Sequence, residues 1–460
     1  MTKINRHHCL GRLLLATALP FGLLAASEMS AHAGTVTVTG ANGANGGPRQ
    51  PGGAGGTATA TTTTPSDPLN TATATGGNGG AGGNGALPPY YIPLGGGGGH
   101  GGPATSTAAT KVATGSASAI ATSTGGSAGI GGRPDGAGGG GGWASSTATA
   151  ASPNGSASAT ATSTGGNGAR GGLSNQCCGI GEGGGGGAAS ATSSASGGGA
   201  DTVTSGATAT GGAGGAGWNH PPGGSASASA SARNSVGAAL ASASAPADSS
   251  AKAVANATLT NAPLGAGSAP LLAIKTGQVA SDATLSSEGQ MIGVGAMSAG
   301  YGVSSLAVTY EATATLDFST PIGALDLKLL SDNFADNSAG IAFDSMELLV
   351  VHGTTQIEKT FSSLTGSAGA ETYFTAHPII GLGAIAAGQS IEIEYFLGYK
   401  TGTSAGPGDG FGFTYALVDP PPGAAIPEPS TWAMMLVGFA GLAFAGYRAR
   451  VGCAVAKNVT

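Results

Sequence analysis

Side chains able to do chemistry are sparse in this 460-residue chain, of which only 8% is charged. Two carboxylates, Glu392 and Glu394, alternate with Ile391 and Ile393. Such a pair could supply the acid and base of a glycosidase, but the same alternation is typical of the solvent-facing side of a half-buried strand. The histidines include no HExxH zinc motif. We therefore predict that the protein is not an enzyme and has no catalytic residues.

Metal and cofactor sites are not expected either. Asp332, Asp336, Asn337 and Asp344 lie close in sequence, but their spacing is not that of an EF-hand loop and favours a solvated acidic face. The glycine tract at 76–85, GGNGGAGGNG, resembles a phosphate-binding loop but lacks the Lys-Ser/Thr pair of a P-loop.

Cysteines and isolated aromatic residues interrupt the glycine-rich part of the chain. Cys177 and Cys178 are adjacent, which leaves open a strained vicinal disulfide, a bridge to another chain or two reduced thiols. Tyr90-Tyr91, Trp143 and Trp218 could stack on sugars or hold a loop in place.

The most specific pattern lies near the C-terminus. Pro427-Glu428-Pro429 precedes an uncharged apolar run from Trp432 to Tyr447, which is followed by Arg448 and Arg450. We predict a transmembrane helix over 430–447, whose length of roughly 27 Å approaches the thickness of a bilayer core. The two arginines would stay on the cytoplasmic side of the inner membrane.

This tail resembles the PEP-CTERM sorting domain of Gram-negative envelope proteins, with Pro427, Glu428, Pro429, Trp432, Arg448 and Arg450 as the sorting signal. The resemblance covers about the last thirty residues. It implies that an exosortase, a membrane-embedded transpeptidase or protease, recognises and removes the tail. It also implies a host that makes exopolysaccharide. A simple tail anchor that is never processed is the alternative.

The N-terminus predicts export. A basic segment with Lys3, Arg6 and Arg12 precedes a short apolar stretch, and Ala31 and Ala33 form a small-x-small site for signal peptidase. We predict a signal peptide over residues 1–33.

Residues 34–262 form a low-complexity region rich in Gly, Ala, Ser and Thr. Alternating Ala/Thr/Ser segments run into glycine blocks that begin at 76, 125, 165 and 211. Two structures fit this composition, an irregular stack of small-residue β-strands and a flexible spacer.

Residues 263–420 have a different texture. Turn residues such as Ser331-Asp332-Asn333 separate alternating strand-like runs, which predicts an antiparallel β-sandwich of jelly-roll type. The runs are 306–318, 324–330, 346–352, 355–361, 390–399 and 411–418. This part carries four lysines, no arginine and fifteen acidic residues, and so disfavours nucleic acid as a partner.

The sequence therefore predicts an all-β exported protein with four parts: signal peptide, repeat region, β-sandwich and a sorting tail from 421 to 460. Its expected role is structural or adhesive in the cell envelope or extracellular matrix, after a transient stay in the inner membrane and in association with exopolysaccharide. The alternative is a secreted enzyme that acts on polysaccharide through the sandwich.

Overall fold

The computed structural model describes residues 34–419 apart from 65–66, 86–93, 175–178, 248, 260–270, 277–278, 285–289, 302–307, 319–320, 336–342, 364–365, 377 and 400–409. The predicted signal peptide, the predicted transmembrane helix and Cys177–Cys178 lie outside these residues. Where the structure describes the chain, it is almost entirely β, which confirms the predicted class.

Within the described residues the strands follow one another along the chain, with a single short helix among them. They are β1 (Gly34–Thr39), β2 (Ala58–Thr62), β3 (Leu69–Thr75), β4 (Ala104–Lys111), β5 (Ala117–Thr124), β6 (Ala144–Ser152), β7 (Ala157–Thr164), β8 (Ala189–Gly197), β9 (Val203–Thr210), β10 (Ala226–Asn234), β11 (Ala239–Ala245), β12 (Ser250–Leu259), β13 (Leu271–Thr276), β14 (Val279–Thr284), β15 (Gln290–Tyr301), β16 (Val308–Asp317), β17 (Ile322–Ala335), β18 (Phe343–His352), β19 (Thr355–Phe361), β20 (Ile379–Ile385), β21 (Ser390–Tyr399) and β22 (Gly410–Asp419). The helix, α1, spans Ala370–Thr375.

These strands form three sheets. Sheet I has the order β1-β3-β5-β7-β9-β11-β13-β14, and sheet II has the order β2-β4-β6-β8-β10-β12-β15-β22-β17-β20. Sheet III has the order β16-β21-β18-β19. Up to β12 the chain alternates between sheets I and II, and each strand pairs in parallel with the strand two places earlier. The first half is thus a flattened β-solenoid, so the stacked-strand alternative describes it and the spacer does not.

Small side chains explain the flattening. Alanines on the inner faces of sheets I and II are almost fully buried and form one continuous core. Serines of this core reach the main chain of the opposite sheet: Ser123 Oγ donates to the carbonyl oxygen of Ser145 at 2.6 Å, and Ser146 Oγ donates to that of Thr162 at 2.5 Å. Stacked sheets normally lie about 10 Å apart. A hydroxyl as short as that of serine can bridge the gap only because no large side chain holds the sheets apart.

The glycine blocks leave the solenoid as pairs of extended arms. Each arm pair runs out from a strand of sheet I and returns to the next strand of sheet II. The described parts of the arm pairs are 40–57, 76–85 with 94–103, 125–143, 165–174 with 179–188, and 211–225. Every third residue donates to the matching arm of the next turn, as Gly79 N–H does to the carbonyl of Ser127 at 2.8 Å. The following residue donates across to the other layer, as Gly80 N–H does to the carbonyl of Gly53 at 2.8 Å. The three-residue period is that of a polyproline II helix.

Sheet II continues past the solenoid as an antiparallel sheet. β15 pairs with β12, and β22, β17 and β20 follow. Sheet III packs over this half through buried aliphatic and aromatic side chains. The ring of Phe374 on α1 lies 5.0 Å from that of Phe411 and 5.1 Å from that of Phe413 between their centroids. Sheets II and III therefore form a sandwich that shares sheet II with the solenoid, while β13 and β14 of sheet I cover the other face of β15 and β22. A jelly-roll order for the sandwich stays a prediction.

A buried contact among three neighbouring strands lies where the solenoid meets the sandwich. Asn256, Gly295 and Tyr415 are in register on β12, β15 and β22. A Cβ added at Gly295 would lie 2.0 Å from the Tyr415 ring, so glycine leaves the space that the ring occupies. The Tyr415 hydroxyl donates to Asn256 Oδ1. Burial raises the pKa of Tyr415, so the phenol stays neutral and remains a donor.

The strands predicted between 306 and 418 agree closely with β16–β19, β21 and β22. One predicted turn was wrong: Ser331-Asp332-Asn333 lies inside β17 and pairs with β22. The register shifts between Leu329 and Ser331, so an irregularity absorbs the polar residues without ending the strand. Strand β20 and the six-residue helix α1 were not predicted.

Candidate functional site

The predicted carboxylate pair lies on the outer face of sheet III. β21 runs between β16 and β18, and its Ile391 and Ile393 are buried while Glu392 and Glu394 are partly exposed on the other face. Partial burial raises the pKa of Glu394, and the nearby carboxylates of Glu392, Glu311 and Glu347 raise it further. The Glu392 side chain also hydrogen-bonds to Glu394. This is the acidic face that the alternation predicts.

The geometry of the pair bears on the glycosidase interpretation. In retaining glycosidases the two carboxyl groups stand about 5 Å apart, and in inverting ones farther, because sugar or water must fit between them. Glu392 and Glu394 are neighbours on the outer face of β21, and the glycosidase interpretation stays a hypothesis.

The other predicted acidic residues are not brought into one cluster that the structure describes. Asp332 lies on β17 in sheet II, Asp344 lies on β18 in sheet III, and Asp336 and Asn337 are outside the described residues. Within the described chain, no group of three or more His, Cys, Asp or Glu residues could hold a metal ion. His352 is buried, and its Nε2 lies 3.3 Å from Gln389 Oε1.

The chain also contains a serine motif that the sequence analysis did not identify. Residues 125–129 read Gly-x-Ser-x-Gly, the pattern of a nucleophile elbow, which requires a strand-to-helix turn. Ser127 instead lies in an outgoing glycine arm, and its N–H donates to Asn78 Oδ1 at 3.0 Å. The pattern is therefore part of the arm repeat.

Asparagines occupy several of the outward positions that recur every third residue along the outgoing arms. Asn42 Oδ1 accepts from Asn78 N–H at 2.9 Å, and Asn45 Oδ1 accepts from Ala81 N–H at 2.9 Å. Asn84 Oδ1 does the same for Arg133 N–H at 2.9 Å. These side chains satisfy outward-facing amides of the next arm, so the asparagines of GGNGGAGGNG have a structural role.

Large apolar side chains stand out on this surface of small residues. Trp143 is 49% exposed and Trp218 is 67% exposed, so neither indole is buried beneath a loop. They lie at different ends of the returning arms, with Trp143 beside β6 and Trp218 near an arm turn. Tyr90 and Tyr91 lie outside the described residues.

The outer faces of the solenoid carry hydroxyl groups in ordered rows. On sheet I, outward positions of successive strands are in register, as in the ladder from Thr39 through Thr75 to Thr124. The strands β1, β3, β5, β7, β9 and β11 contain no charged residue. Alternating threonine was visible in the sequence, but which threonines become neighbours was not.

Comparison with known proteins identifies the C-terminal segment. Residues 425–450 match the PEP-CTERM protein-sorting motif. No curated protein and no solved structure matches the chain. The protein therefore carries a PEP-CTERM sorting domain, which confirms the resemblance read from the residues and implies exosortase-dependent sorting of an exported protein.

The residues of the sorting signal, Pro427 to Arg450, lie outside the described part of the structure, as do Ala31 and Ala33. Among the residues that the structure does describe, no helix is long and apolar enough to span a bilayer. The sorting site is thus assigned by its sequence motif.

Proposed function

We propose that this protein is an exported structural or adhesive component of the cell envelope or extracellular matrix of a Gram-negative bacterium. A signal peptidase would cut after Ala33, and the apolar segment Trp432–Tyr447 would hold the precursor in the inner membrane. An exosortase would then recognise Pro427-Glu428-Pro429 and process the tail. Exopolysaccharide is the proposed surrounding of the mature protein.

The observation that carries the proposal is the pairing of this tail with an extensively hydrogen-bonded scaffold whose sheet I strands β1 to β11 carry no charged residue. The main-chain hydrogen bonds of the glycine arms run in two directions, along each layer and between layers. The sheets expose serine and threonine hydroxyls, and the arms expose amides and asparagines. A rigid surface of neutral hydrogen-bonding groups suits contact with hydrated matrix polymers.

The sorting step is tested by altering the proline-flanked glutamate. Glu428→Gln or Pro427→Ala should trap a full-length form in the inner-membrane fraction of a host that carries an exosortase, because the enzyme would lose the charged group or the extended backbone it reads. Glu371→Gln, on the exposed side of α1, is the matched control and should be sorted normally. Normal sorting of both tail variants would contradict the proposal.

A secreted polysaccharide-acting enzyme is the second candidate, favoured by the raised pKa of Glu394 beside Glu392. A carboxyl whose pKa is raised keeps its proton to a higher pH than an ordinary glutamate, as a general acid must. Release of sugar from glycans by the full chain, lost in both Glu394→Gln and Glu392→Gln, would favour this enzyme over the structural role.

A further inference from the structure

The outer face of sheet I bears a nearly complete two-dimensional array of threonine. Three rows cross the five strands β1, β3, β5, β7 and β9 in register. Thirteen of these fifteen positions are threonine, and the exceptions are Ile120 and Gly206. The rows are Thr39, Thr75, Thr124, Thr164 and Thr210; Thr37, Thr73, Thr122, Thr162 and Thr208; and Thr35, Thr71, Ile120, Thr160 and Gly206.

Strand formation alone does not account for this array. The solenoid part of sheet II is built in the same way, with five parallel strands, β2, β4, β6, β8 and β10, that correspond to the five strands of the array, so β-propensity acts on it equally. Yet seven of its fourteen corresponding outward positions are threonine, and the others are serine or alanine. Its outer face also carries charges, among them Lys111, Arg233 and Lys252. Threonine is therefore concentrated on one face of the solenoid.

The geometry of the face is regular in both directions. Neighbouring strands of a sheet lie about 4.8 Å apart, and alternate residues of one strand lie about 6.7 Å apart. Threonine holds its hydroxyl and methyl in fixed directions because branching at Cβ restricts χ1. The result is a regular array of hydroxyl and methyl groups without charge.

We propose that this threonine face binds the surface of ice. Rows of water oxygens on a prism face of hexagonal ice repeat in two perpendicular directions with spacings close to those of the array. A threonine hydroxyl can occupy the place of a lattice water, and its methyl group can fill the gap between rows. Charged side chains would impose a different water order, and strands β1 to β11 of sheet I carry none.

A crystalline polysaccharide is the competing regular surface. Sugar-binding faces commonly stack the rings on aromatic side chains and bind hydroxyls through carboxylates. Neither residue type occurs in the five strands of the array. The threonine face therefore fits ice better than it fits a glycan sheet.

The test is partition of the full chain, in mild detergent, into slowly growing ice, followed by immunoblotting of the ice and liquid fractions. Thr122 lies at the centre of the array, on the third of five strands and in the middle row. Thr122→Lys should reduce the fraction held in ice severalfold. The matched control is Thr147→Lys, at the corresponding central position of sheet II, which should leave that fraction unchanged.

Two further variants keep the outcome decisive if the lysine perturbs folding. Thr122→Ser retains the hydroxyl and removes only the methyl group, so it should give a partial loss. Gly206→Thr adds a threonine to the third row and leaves Ile120 as its one exception. A Cβ at position 206 has space because its nearest neighbour, Ser242 Oγ, is 3.5 Å away. This variant should raise the fraction held in ice.

Exclusion of the wild-type chain from ice, or equal losses in Thr122→Lys and Thr147→Lys, would overturn the proposal. Binding to microcrystalline chitin or cellulose without enrichment in ice would also overturn it and assign the face to a polysaccharide.

Discussion

Two glycines of one arm, Gly97 and Gly99, should respond to alanine with opposite signs. Gly99 faces the interior of the arm bundle, where an added Cβ would lie 2.0 Å from the carbonyl oxygen of Gly53, well inside the 3.4 Å at which ordinary contact begins. Gly97 faces outward, and the nearest atom to its added Cβ is the carbonyl oxygen of Ala137 at 3.7 Å. Ala137 holds the equivalent outward place on the next arm.

The magnitude for Gly99→Ala follows from the hydrogen bonds it would disturb. Gly99 N–H donates to the carbonyl of Gly80 at 2.8 Å, and its carbonyl accepts from Gly129 N–H at 2.8 Å. The arms must separate to admit the methyl group, and a buried group left without its partner costs about 1–3 kcal/mol. We therefore expect Gly99→Ala to lower the free energy of unfolding by about 3 kcal/mol or more, a large part of the about 5–15 kcal/mol of a typical domain.

Gly97→Ala should instead stabilise the protein by about 0.4–1 kcal/mol, because alanine narrows the unfolded ensemble without a clash in the native state. Urea unfolding followed by circular dichroism, together with amide exchange of the arm glycines, measures both variants. Equal destabilisation by the two substitutions, or no effect of Gly99→Ala, would refute the close-packed arm bundle.

Further predictions concern the sandwich. Tyr415→Phe removes the hydroxyl that donates to Asn256 and should lower the free energy of unfolding by about 1–3 kcal/mol, measured by urea titration. The control is Tyr373→Phe, because the Tyr373 ring is only partly buried; it should lower the free energy of unfolding by less. Equal costs would show that the buried bond contributes nothing. Glu394 has a raised folded pKa, so its ionisation opposes folding once the pH exceeds about 4.3, the unfolded value. Glu394→Gln should therefore be more stable than wild type at neutral pH and should match it below pH about 4. Glu358→Gln, on the edge strand β19, is the control. A difference in stability between Glu394→Gln and wild type that does not change with pH would contradict the raised pKa.

Much of the sandwich could be predicted because its strands carry a local signal. Alternation such as Ile391, Glu392, Ile393 and Glu394 fixes both the strand and its buried face, whatever strand lies beside it. Strand β20 gave no such signal, since it contains Gly381 and Gly383 and pairs with β17 through register shifts. Ser331-Asp332-Asn333 was wrongly predicted as a turn because a strand with an irregular register can include such residues.

The solenoid was harder to predict because its order is not local. A parallel pair such as Thr122 and Thr162 is separated by 40 residues in sequence, and the repeat length varies between turns. The glycine arms hold a three-residue period, with asparagine at outward positions such as Asn78 and Asn84, and this signal was present in the sequence. From composition alone, the many glycines favoured a flexible chain. In the structure the arms pack so closely, main chain against main chain, that only glycine fits at their inward positions.

The threonine face could not be predicted from the sequence either, because it depends on pairing between distant strands. The sequence shows alternating threonine in several segments, but only the pairing of β1, β3, β5, β7 and β9 brings these residues into rows. The sorting signal is the opposite case, because Pro427-Glu428-Pro429 is read as a linear motif and needed no partner elsewhere in the chain to be identified.

The most direct test of exosortase-dependent sorting is the C-terminal residue of the mature protein. The chain is recovered from a host with an active exosortase and from the same host lacking that enzyme, and its C-terminal peptide is determined by mass spectrometry. Processing predicts a new C-terminus near Pro427 only in the host with the enzyme. Thr460 intact on most molecules in both hosts would contradict sorting and leave a simple tail anchor.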